Sequence, residues 1–363
     1  MAARLDAAVE KAMRESGAPG AIVGVWTPDR GEYVRAFGVA DKATGEKMET
    51  GVYSRIGSET KTFTVTAVLQ LVDQGKVGLD DPIGTYVDGV PNGDRITVRQ
   101  LAEMRSGLTS YTEQAPFIDA LLANPERSFT PRQLLTYAFD SAEPVLFEPG
   151  AQFNYSNTNL VLLGLVIEKA TGRPANEVIE EDVVAKAGLT RTSFPLDSAF
   201  PSPHAQGYTN QTASGKTEVA TDWNPSWAWT AGAMISTLDD LRKWAPVLAN
   251  GTLLTPATQA ERLKTHPMPV SGQAGYGLGI FDVNGWIGHN GSLPGYQSLT
   301  LHLKDPETTL VVLLNTDVQK GIHEPTTYFG RAVTEIVSPG HVYWLAPAAR
   351  TSNAPATPSP SGG

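Results

Sequence analysis

The sequence of 363 residues predicts an α/β (α+β) fold: an antiparallel sheet flanked by helices, formed from both chain ends, with an inserted and mainly helical domain. Strand-like patterns occur near the N-terminus and again after about residue 230, whereas helical spacing dominates the residues between them. The two N-terminal strands alone would be marginally stable. We therefore expect them to join the C-terminal strands in one sheet.

The N-terminal part begins with apolar residues at helical spacing over residues 3–16, and Gly17 follows as a helix end. Two short apolar runs come next, at residues 21–26 and 33–38. Because the turn-forming sequence Pro-Asp-Arg-Gly at 28–31 separates them, these runs are predicted to form a β-hairpin.

The functional prediction depends most on residues 57–75. Apolar residues recur there at helical spacing, so we predict a helix that begins at Ser58 and ends at Gly75. Ser58 and Lys61 then lie one turn apart on the same face. A capping serine is normally followed three residues later by Glu or Gln, and a cation in the first turn opposes the helix dipole. The alternative interpretation is a capping serine with a solvent-facing lysine.

Lys61 breaks this local rule, which points to function rather than capping. Burial lowers the pKa of a lysine, and such an amine can act as a base toward a nearby serine. The first N–H groups of a helix lack partners within the helix, so the Ser58 amide could donate to an oxyanion. The sequence therefore predicts Ser58 as a nucleophile.

The remaining elements follow from periodicity and turn residues. They are a short helix led by residues 96–101, a helix at 157–169, a hairpin of strands 275–281 and 286–289 around Asn284-Gly285, a half-buried strand at 299–303, a central strand at 309–315 and a helix at 325–337. This pattern assigns residues 1–57 and 226–346 to the sheet domain and 58–225 to the helical domain. Residues 347–363, rich in Pro, Ser, Ala and Thr, are predicted to be a disordered tail.

Composition excludes several classes of function. The net charge of −10 and the lack of basic runs argue against nucleic acid as a partner, and no apolar stretch is long enough to span a membrane. The chain has no cysteine and only six scattered histidines, so we predict no metal site and no cofactor. The expected partner is a small-molecule or peptide substrate. The oligomeric state stays open, a monomer being compatible with the sequence.

The N-terminus lacks the charged-then-apolar pattern of an export signal. We expect the protein to be extracytoplasmic, secreted or in the cell envelope, if such a signal has been trimmed, and cytoplasmic otherwise.

Tyr155 and Asn157 precede the strongest helix pattern and follow a Pro-Gly turn. A tyrosine beside a lysine can exist partly as phenolate and act as a general base, and an asparagine amide can bridge the lysine and a substrate carbonyl. The same Tyr-x-Asn pattern recurs at Tyr208 and Asn210. We favour Tyr155 because its neighbouring helix gives it a fixed position.

A second group, His289 to Ser292, lies on a strand of the predicted hairpin. Gly291 would leave room for a substrate to approach the backbone, and the Ser292 amide could be a second oxyanion donor. His289 would orient protons and Asn290 would contact substrate, although a histidine taken alone is more often structural. Trp227 could line a substrate pocket or belong to the core.

Together these motifs resemble those of the penicillin-recognising serine hydrolases: DD-peptidases, class C β-lactamases and their esterase and D-amidase relatives. The matching motifs stand in the family's order and are Ser58-Glu59-Thr60-Lys61, Tyr155-Ser156-Asn157 and His289-Asn290-Gly291. The resemblance is greatest to the soluble secreted D-alanyl-D-alanine carboxypeptidases. It implies the β-lactamase/DD-peptidase fold, with the site between the two domains, and an acyl-enzyme on Ser58, with Tyr155 and Lys61 moving the proton.

The departures from that family pattern concern the substrate. Those carboxypeptidases have an arginine after a Gly-Tyr-Gly-Leu-Gly-Leu strand, where it helps to bind the terminal carboxylate; here Phe281 stands at that place. Arg105 is the nearest positively charged residue within a family motif that could replace this arginine. We therefore predict cleavage of D-amino-acid-containing peptides, amides or esters. The alternatives are an esterase, a class C-like β-lactamase, or a sensor that binds β-lactams without turnover.

Overall fold

The computed structural model describes residues 1–270 and 273–345; the tail predicted to be disordered, 347–363, lies outside the described residues. Its α-helices are α1 (Ala2–Ser16), α2 (Thr60–Asp73), α3 (Val98–Ala102), α4 (Ala115–Ala123), α5 (Pro131–Phe139), α6 (Asn157–Thr171), α7 (Ala175–Ile179), α8 (Leu238–Asn250), α9 (Pro256–Arg262) and α10 (Pro325–Val337). Its strands are β1 (Gly20–Thr27), β2 (Gly31–Gly38), β3 (Tyr53–Arg55), β4 (Tyr208–Thr209), β5 (Glu218–Val219), β6 (Ile235–Thr237), β7 (His266–Pro267), β8 (Ala274–Tyr276), β9 (Phe281–Val283), β10 (Trp286–Leu293), β11 (Tyr296–Lys304) and β12 (Glu307–Leu314).

One antiparallel sheet contains eight of these strands in the order β2-β1-β12-β11-β10-β9-β8-β7. The N-terminal hairpin joins the sheet through β1, which pairs with β12 from Ala21 opposite Leu314 to Trp26 opposite Thr309. Both chain ends therefore form one sheet, which confirms the predicted fold class.

Helices cover both faces of this sheet. Strand β11 is buried along its whole length except Lys304. Helix α10 packs against the face of Leu299, while α8 and residues 56–59, just ahead of α2, lie on the face of Ser298 and Thr300. The prediction of a half-buried strand at 299–303 was therefore wrong. Polar residues face the interior there, since Ser298 Oγ donates to the carbonyl of Ile56 at 2.9 Å.

The predicted turn at Asn284-Gly285 joins β9 to β10. Both residues have positive φ, 53° and 89°, as a type I′ turn requires, and Val283 pairs with Trp286 across it. The run 275–281, however, is not one strand. Gly277 and Gly279 lie in a turn that separates β8 from β9, and Gly279 has a φ of 68°.

Helices α8 and α9 were not anticipated, since strands were expected from about residue 230 and the one helix predicted beyond it is at 325–337. Helix α8 begins after Thr237, whose side chain accepts from the Asp240 amide, and ends at Gly251 in the left-handed conformation. It buries one apolar face, and Trp244 stacks on Phe63 of α2 with ring centroids 4.1 Å apart. Among the described helices, none is both long enough and apolar enough to cross a membrane.

Candidate active site

Two glycines bring Ser58 against strand β10. Residues Gly57–Glu59 form a 3-10 turn ahead of α2, and Gly57 has a left-handed φ of 51°. A Cβ added at Gly57 would lie 2.6 Å from the Ser292 amide nitrogen, and one at Gly291 would lie 1.8 Å from the Ile56 carbonyl oxygen. Gly291 thus makes room for the chain ahead of Ser58, which is a different reason from the substrate approach that the sequence suggested.

The amides of Ser58 and Ser292 are both oriented for an oxyanion. The Ser58 N–H has no acceptor among the described residues. Leu293 of β10 pairs with Tyr296 of β11 across a two-residue turn. Hydrogen-bonded and non-hydrogen-bonded pairs alternate along an antiparallel ladder, so the next residue, Ser292, directs its N–H away from β11. Strand β9 begins at Phe281, opposite Gly288, so no β9 residue lies opposite Ser292, and the Ser292 amide faces the turn of Gly57 and Ser58 instead.

Lys61 is fully buried beneath Ser58. Its Nζ lies 2.9 Å from Ser58 Oγ, 2.8 Å from Asn157 Oδ1 and 2.7 Å from the carbonyl oxygen of Ala231. Burial holds the pKa of Lys61 well below its ordinary value of 10.5. A neutral amine donates its two N–H groups to the two carbonyl-type acceptors. Its lone pair then remains to accept the Ser58 hydroxyl proton.

Asn157 is fixed at the first residue of α6. Its backbone N–H donates to Ser110 Oγ at 3.1 Å, and its Nδ2 donates to Thr112 Oγ1 at 3.1 Å. These two bonds leave Oδ1 directed at Lys61. The structure therefore brings Asn157 to the lysine, as the sequence predicted from the Tyr-x-Asn pattern.

Tyr155 stands next to this pair and lines the cavity in front of it. The Lys61 Nζ lies 4.9 Å from the centre of its ring. Burial raises the pKa of Tyr155 well above 10, and the neighbouring Ser58 hydroxyl offsets only part of this effect. The phenol is therefore protonated in the free protein, unlike the partial phenolate that the sequence suggested. Tyr208 lies elsewhere, where its hydroxyl accepts from the Lys42 amide at 2.7 Å.

His289 is a neutral imidazole. Burial, and secondarily the Lys61 amine, lower its pKa to about 3. Its Nδ1 lies 2.5 Å from the carbonyl oxygen of Asn290 and must donate to it, so Nε2 accepts from the Tyr276 hydroxyl at 2.9 Å. Burial raises the pKa of Tyr276 well above 10, which keeps this hydroxyl a donor. The sequence did not single out Tyr276, although this residue lies in the Gly-Tyr-Gly-Leu-Gly run shortly before Phe281.

A cavity of about 650 Å³ opens in front of Ser58. Its lining includes six of the predicted site residues, namely Ser58, Tyr155, Phe281, His289, Asn290 and Ser292. Phe281 is almost fully buried, and its ring centre lies 5.1 Å from that of His289. Lys61, Asn157 and Gly291 lie behind this surface.

Two predicted residues lie apart from the described cavity lining. Trp227 packs near Phe117, with ring centres 6.0 Å apart, and its carbonyl accepts from the Tyr111 hydroxyl. Arg105, the candidate replacement cation, donates to the carbonyl of Gly150 and contacts the His266 ring. The structure brings neither side chain to the substrate space.

The other lining residues come from segments with no motif. Apolar side chains from three regions cover one side, and they include Phe153, Met268 and Tyr276. The loop after β12 and the start of α10 supply Gln319, Glu324 and Thr327. Only the folding of α10 onto the sheet brings this last group to Ser58, so local sequence carried no signal for it.

A serine beside a buried amine of lowered pKa, a phenol and two free amides is the machinery of a serine acyl hydrolase. The family model described as Beta-lactamase matches residues 5–334, and the chain belongs to this family of serine hydrolases.

Three comparisons describe its relatives. The D-aminopeptidase of Brucella anthropi is 28% identical over 316 residues, which cover 86% of this chain but only 59% of that relative's length. A D-stereospecific amidohydrolase from Streptomyces sp. has a similar structure, with a TM-score of 0.81, 32% identity and coverage of 92% of this chain and 98% of the other. The D-amino acid amidase of Ochrobactrum anthropi SV3, complexed with L-phenylalanine, gives a TM-score of 0.78, 26% identity and coverage of 93% and 99%.

Proposed function

We propose that the protein hydrolyses amides, short peptides or esters of D-amino acids through an acyl-enzyme on Ser58. The observation that carries this proposal is the 2.9 Å contact between Ser58 Oγ and the buried Lys61 Nζ, whose other two partners are carbonyl-type acceptors. The relatives named for D-aminopeptidase and D-amino acid amidase activity support D-amino acid derivatives as the substrate class.

In the proposed acylation, Ser58 Oγ attacks the substrate carbonyl carbon while Lys61 takes the hydroxyl proton. The Ser58 and Ser292 amides stabilise the oxyanion, an effect worth about 3–4 kcal/mol for a single donor in other enzymes. Tyr155 gives its phenolic proton to the leaving nitrogen or oxygen, and the proton on Lys61 replaces it. Asn157 keeps the amine aligned throughout.

In the proposed deacylation, water attacks the Ser58 ester and the same groups move the proton in reverse. An amine in place of water would give acyl transfer.

Carboxypeptidase activity is less well supported. A free C-terminal acid calls for a cation, and the described lining residues include neither lysine nor arginine. Phe281 occupies the place where the D-alanyl-D-alanine carboxypeptidases have an arginine. The prediction that amides and esters are better substrates than matching free acids therefore stands.

The test uses purified protein with D- and L-phenylalanine amide, a p-nitrophenyl ester, a peptide ending in D-Ala-D-Ala and a chromogenic cephalosporin. We expect the D-amide to be cleaved at least tenfold faster than the L-amide, and Ser58→Ala to abolish turnover. Ser214→Ala, at an exposed serine in the β4–β5 loop, is the matched control and should retain activity.

Intact-mass analysis with a fluorophosphonate should show one adduct, absent in Ser58→Ala. Three outcomes would contradict the proposal: an adduct that survives this substitution, acylation by a β-lactam with no turnover of any substrate, or preference for the free acid or the cephalosporin. These would indicate another nucleophile, a sensor, and a carboxypeptidase or β-lactamase respectively.

A further inference from the structure

Glu324 is the one charged side chain among the described residues that line the cavity. It immediately precedes α10 and is half-buried. Its carboxylate accepts from Gln297 Nε2 through one oxygen and from Gln319 Nε2, at 3.0 Å, through the other. Two side-chain amides thus hold the carboxylate in place without neutralising it.

The orientation of Gln297 follows from its surroundings. This residue is almost fully buried, and its Oε1 accepts from the backbone N–H of Thr326 at 3.1 Å. Because that N–H can only donate, Nε2 must face the opposite side, toward Glu324. The same Nε2 lies 3.3 Å from Ser292 Oγ, so the acidic group is connected to the strand beside Ser58.

The charge of Glu324 is not balanced by a described neighbour. Within the described residues, no Lys, Arg or His nitrogen lies within 4.0 Å of its carboxylate. Lys320 reaches instead to the carbonyl of Arg14. Burial, helped by the charge of Asp317, raises the pKa of Glu324, as expected for a carboxylate that no nearby positive charge stabilises. His289 is uncharged and no Lys or Arg belongs to the described lining, so an ionised Glu324 gives this side of the cavity a negative potential.

We propose that Glu324 binds an ammonium group of the substrate and rejects a free carboxylate at the same place. This inference rests on the proposed function and names the charge that its substrates carry. The ammonium could belong to the acyl half, as the α-amine of a D-amino acid, or to the leaving half. Both are the same chemistry for a carboxylate, and substrate pairs separate them.

The first experiment compares kcat/KM for matched substrates at about pH 7, below the α-amine pKa of about 7.7–8.0, so that the charged substrates carry their ammonium group. D-phenylalanine amide against 3-phenylpropionamide tests the acyl half. The 2-aminoethylamide of 3-phenylpropionic acid against its propylamide tests the leaving half. In Glu324→Gln, the charged-to-neutral ratio should fall roughly 10- to 100-fold for one pair, chiefly through KM, since hydrogen bonds to charged groups have this strength.

Glu335→Gln is the matched control, because Glu335 is an exposed residue of the same helix that pairs with Arg331. It should keep both ratios at the value of the unmodified protein. Glu324→Lys should reverse the preference, so that an amide whose leaving group carries a carboxylate gains over its propylamide counterpart. Unchanged ratios for both pairs in Glu324→Gln would overturn the proposal while leaving the hydrolase function intact.

A second measurement does not depend on amide hydrolysis. Phenethylamine, 2-phenylethanol and 3-phenylpropionate are compared as competitive inhibitors of p-nitrophenyl ester turnover. We expect the ammonium compound to bind most tightly and the carboxylate most weakly, with this order lost in Glu324→Gln. Equal inhibition by all three would overturn the ammonium site, whereas the expected order without any cleavage of D-amides would contradict only the proposed substrate.

Discussion

Burial sets the protonation state of the groups around Ser58. Low polarity disfavours every charged form, so it lowers the pKa of Lys61 and His289 and raises that of Tyr155. The imidazole and the phenol are therefore neutral in the free protein, and burial favours the neutral form of the amine. A neutral amine 2.9 Å from a hydroxyl is ready to accept its proton, whereas an ammonium would have to lose one first.

We predict that Tyr155→Phe lowers kcat by on the order of 10²-fold or more, because a positioned proton donor contributes about that much. Tyr208→Phe is the control. It removes a bond to the Lys42 amide and should lower thermal stability slightly with kcat near that of the unmodified protein. Steady-state kinetics on D-phenylalanine amide measures both. A large loss of kcat in Tyr208→Phe, with Tyr155→Phe active, would mean that the proton carrier had been misassigned.

At the scale of single residues, sequence motifs identified the side chains nearest the reacting atoms. Ser58, Lys61, Tyr155 and Asn157 come together as their spacing along the chain indicated. Tyr276 and Glu324 did not stand out, since each reaches the cavity only through the turn between β8 and β9 or the docking of α10. The lowered pKa of Lys61 likewise depends on three-dimensional burial, which a Ser-x-x-Lys pattern does not specify.

Among the elements, the 3-10 turn before α2 and strand β10 form the closest junction. Gly57 and Gly291 permit a backbone approach that any side chain would block. Because Ser58 follows Gly57 directly, and Ser292 follows Gly291, this junction also sets the distance between the two amides that we assign to the oxyanion.

We predict that Gly291→Ala lowers kcat/KM by at least 10²-fold, comparable to losing an oxyanion donor. The new methyl group would meet the Ile56 carbonyl at 1.8 Å, so the turn must move away from β10. Gly51→Ala, with no atom near its Cβ position and an ordinary φ, should behave as the unmodified protein. Kinetics and thermal melts compare the two. Full activity in a folded Gly291→Ala variant would show that the junction does not set the site's geometry.

Element prediction succeeded where the signal is local and failed where packing decides. Turn residues fixed the hairpins around 28–31 and Asn284-Gly285. The alternation of Leu and polar residues in β11 suggested solvent on one face, yet that face is covered. Some of its polar groups find interior partners, such as His302 Nδ1 with Thr309 Oγ1 at 3.0 Å, while the Thr300 hydroxyl has none among the described residues. Periodicity gives the two faces of a strand but not what covers them.

At the scale of the whole molecule, a buried acid, Glu59, lies between the active site and the sheet. Glu59 follows Ser58 and is 1% exposed. The hydroxyls of Ser298 and Thr300 in β11 are near enough to lower its pKa somewhat, but neither completes a hydrogen bond to the carboxyl. Burial dominates and raises the pKa of Glu59 to about 8.

This acid makes stability depend on pH. The folded protein keeps the proton up to about pH 8, whereas the unfolded chain releases it near 4.5. Raising the pH between these values therefore costs the folded state about 1.4 kcal/mol per pH unit for one proton, and the loss levels off above pH 8.

We predict that Glu59→Gln gains melting temperature relative to the unmodified protein as the pH rises from 5 to 8.5, since glutamine has no proton to lose. Differential scanning calorimetry across this range measures it, with exposed Glu46→Gln as the control. Parallel curves of melting temperature against pH for Glu59→Gln and the unmodified protein would show that Glu59 ionises normally.

The junction of Gly57 with Ser292 joins segments more than half the chain apart. A chain that has left the ribosome only as far as its helical part already contains Ser58, Lys61 and Tyr155, but not β10. Contacts between distant segments form late, because closing long loops costs entropy before pairing repays it. Ser58 thus meets the Ser292 amide only after the C-terminal strands have paired. Unfinished chains carry the nucleophile without its second amide, and synthesis itself delays the reactivity of the serine until the fold is complete.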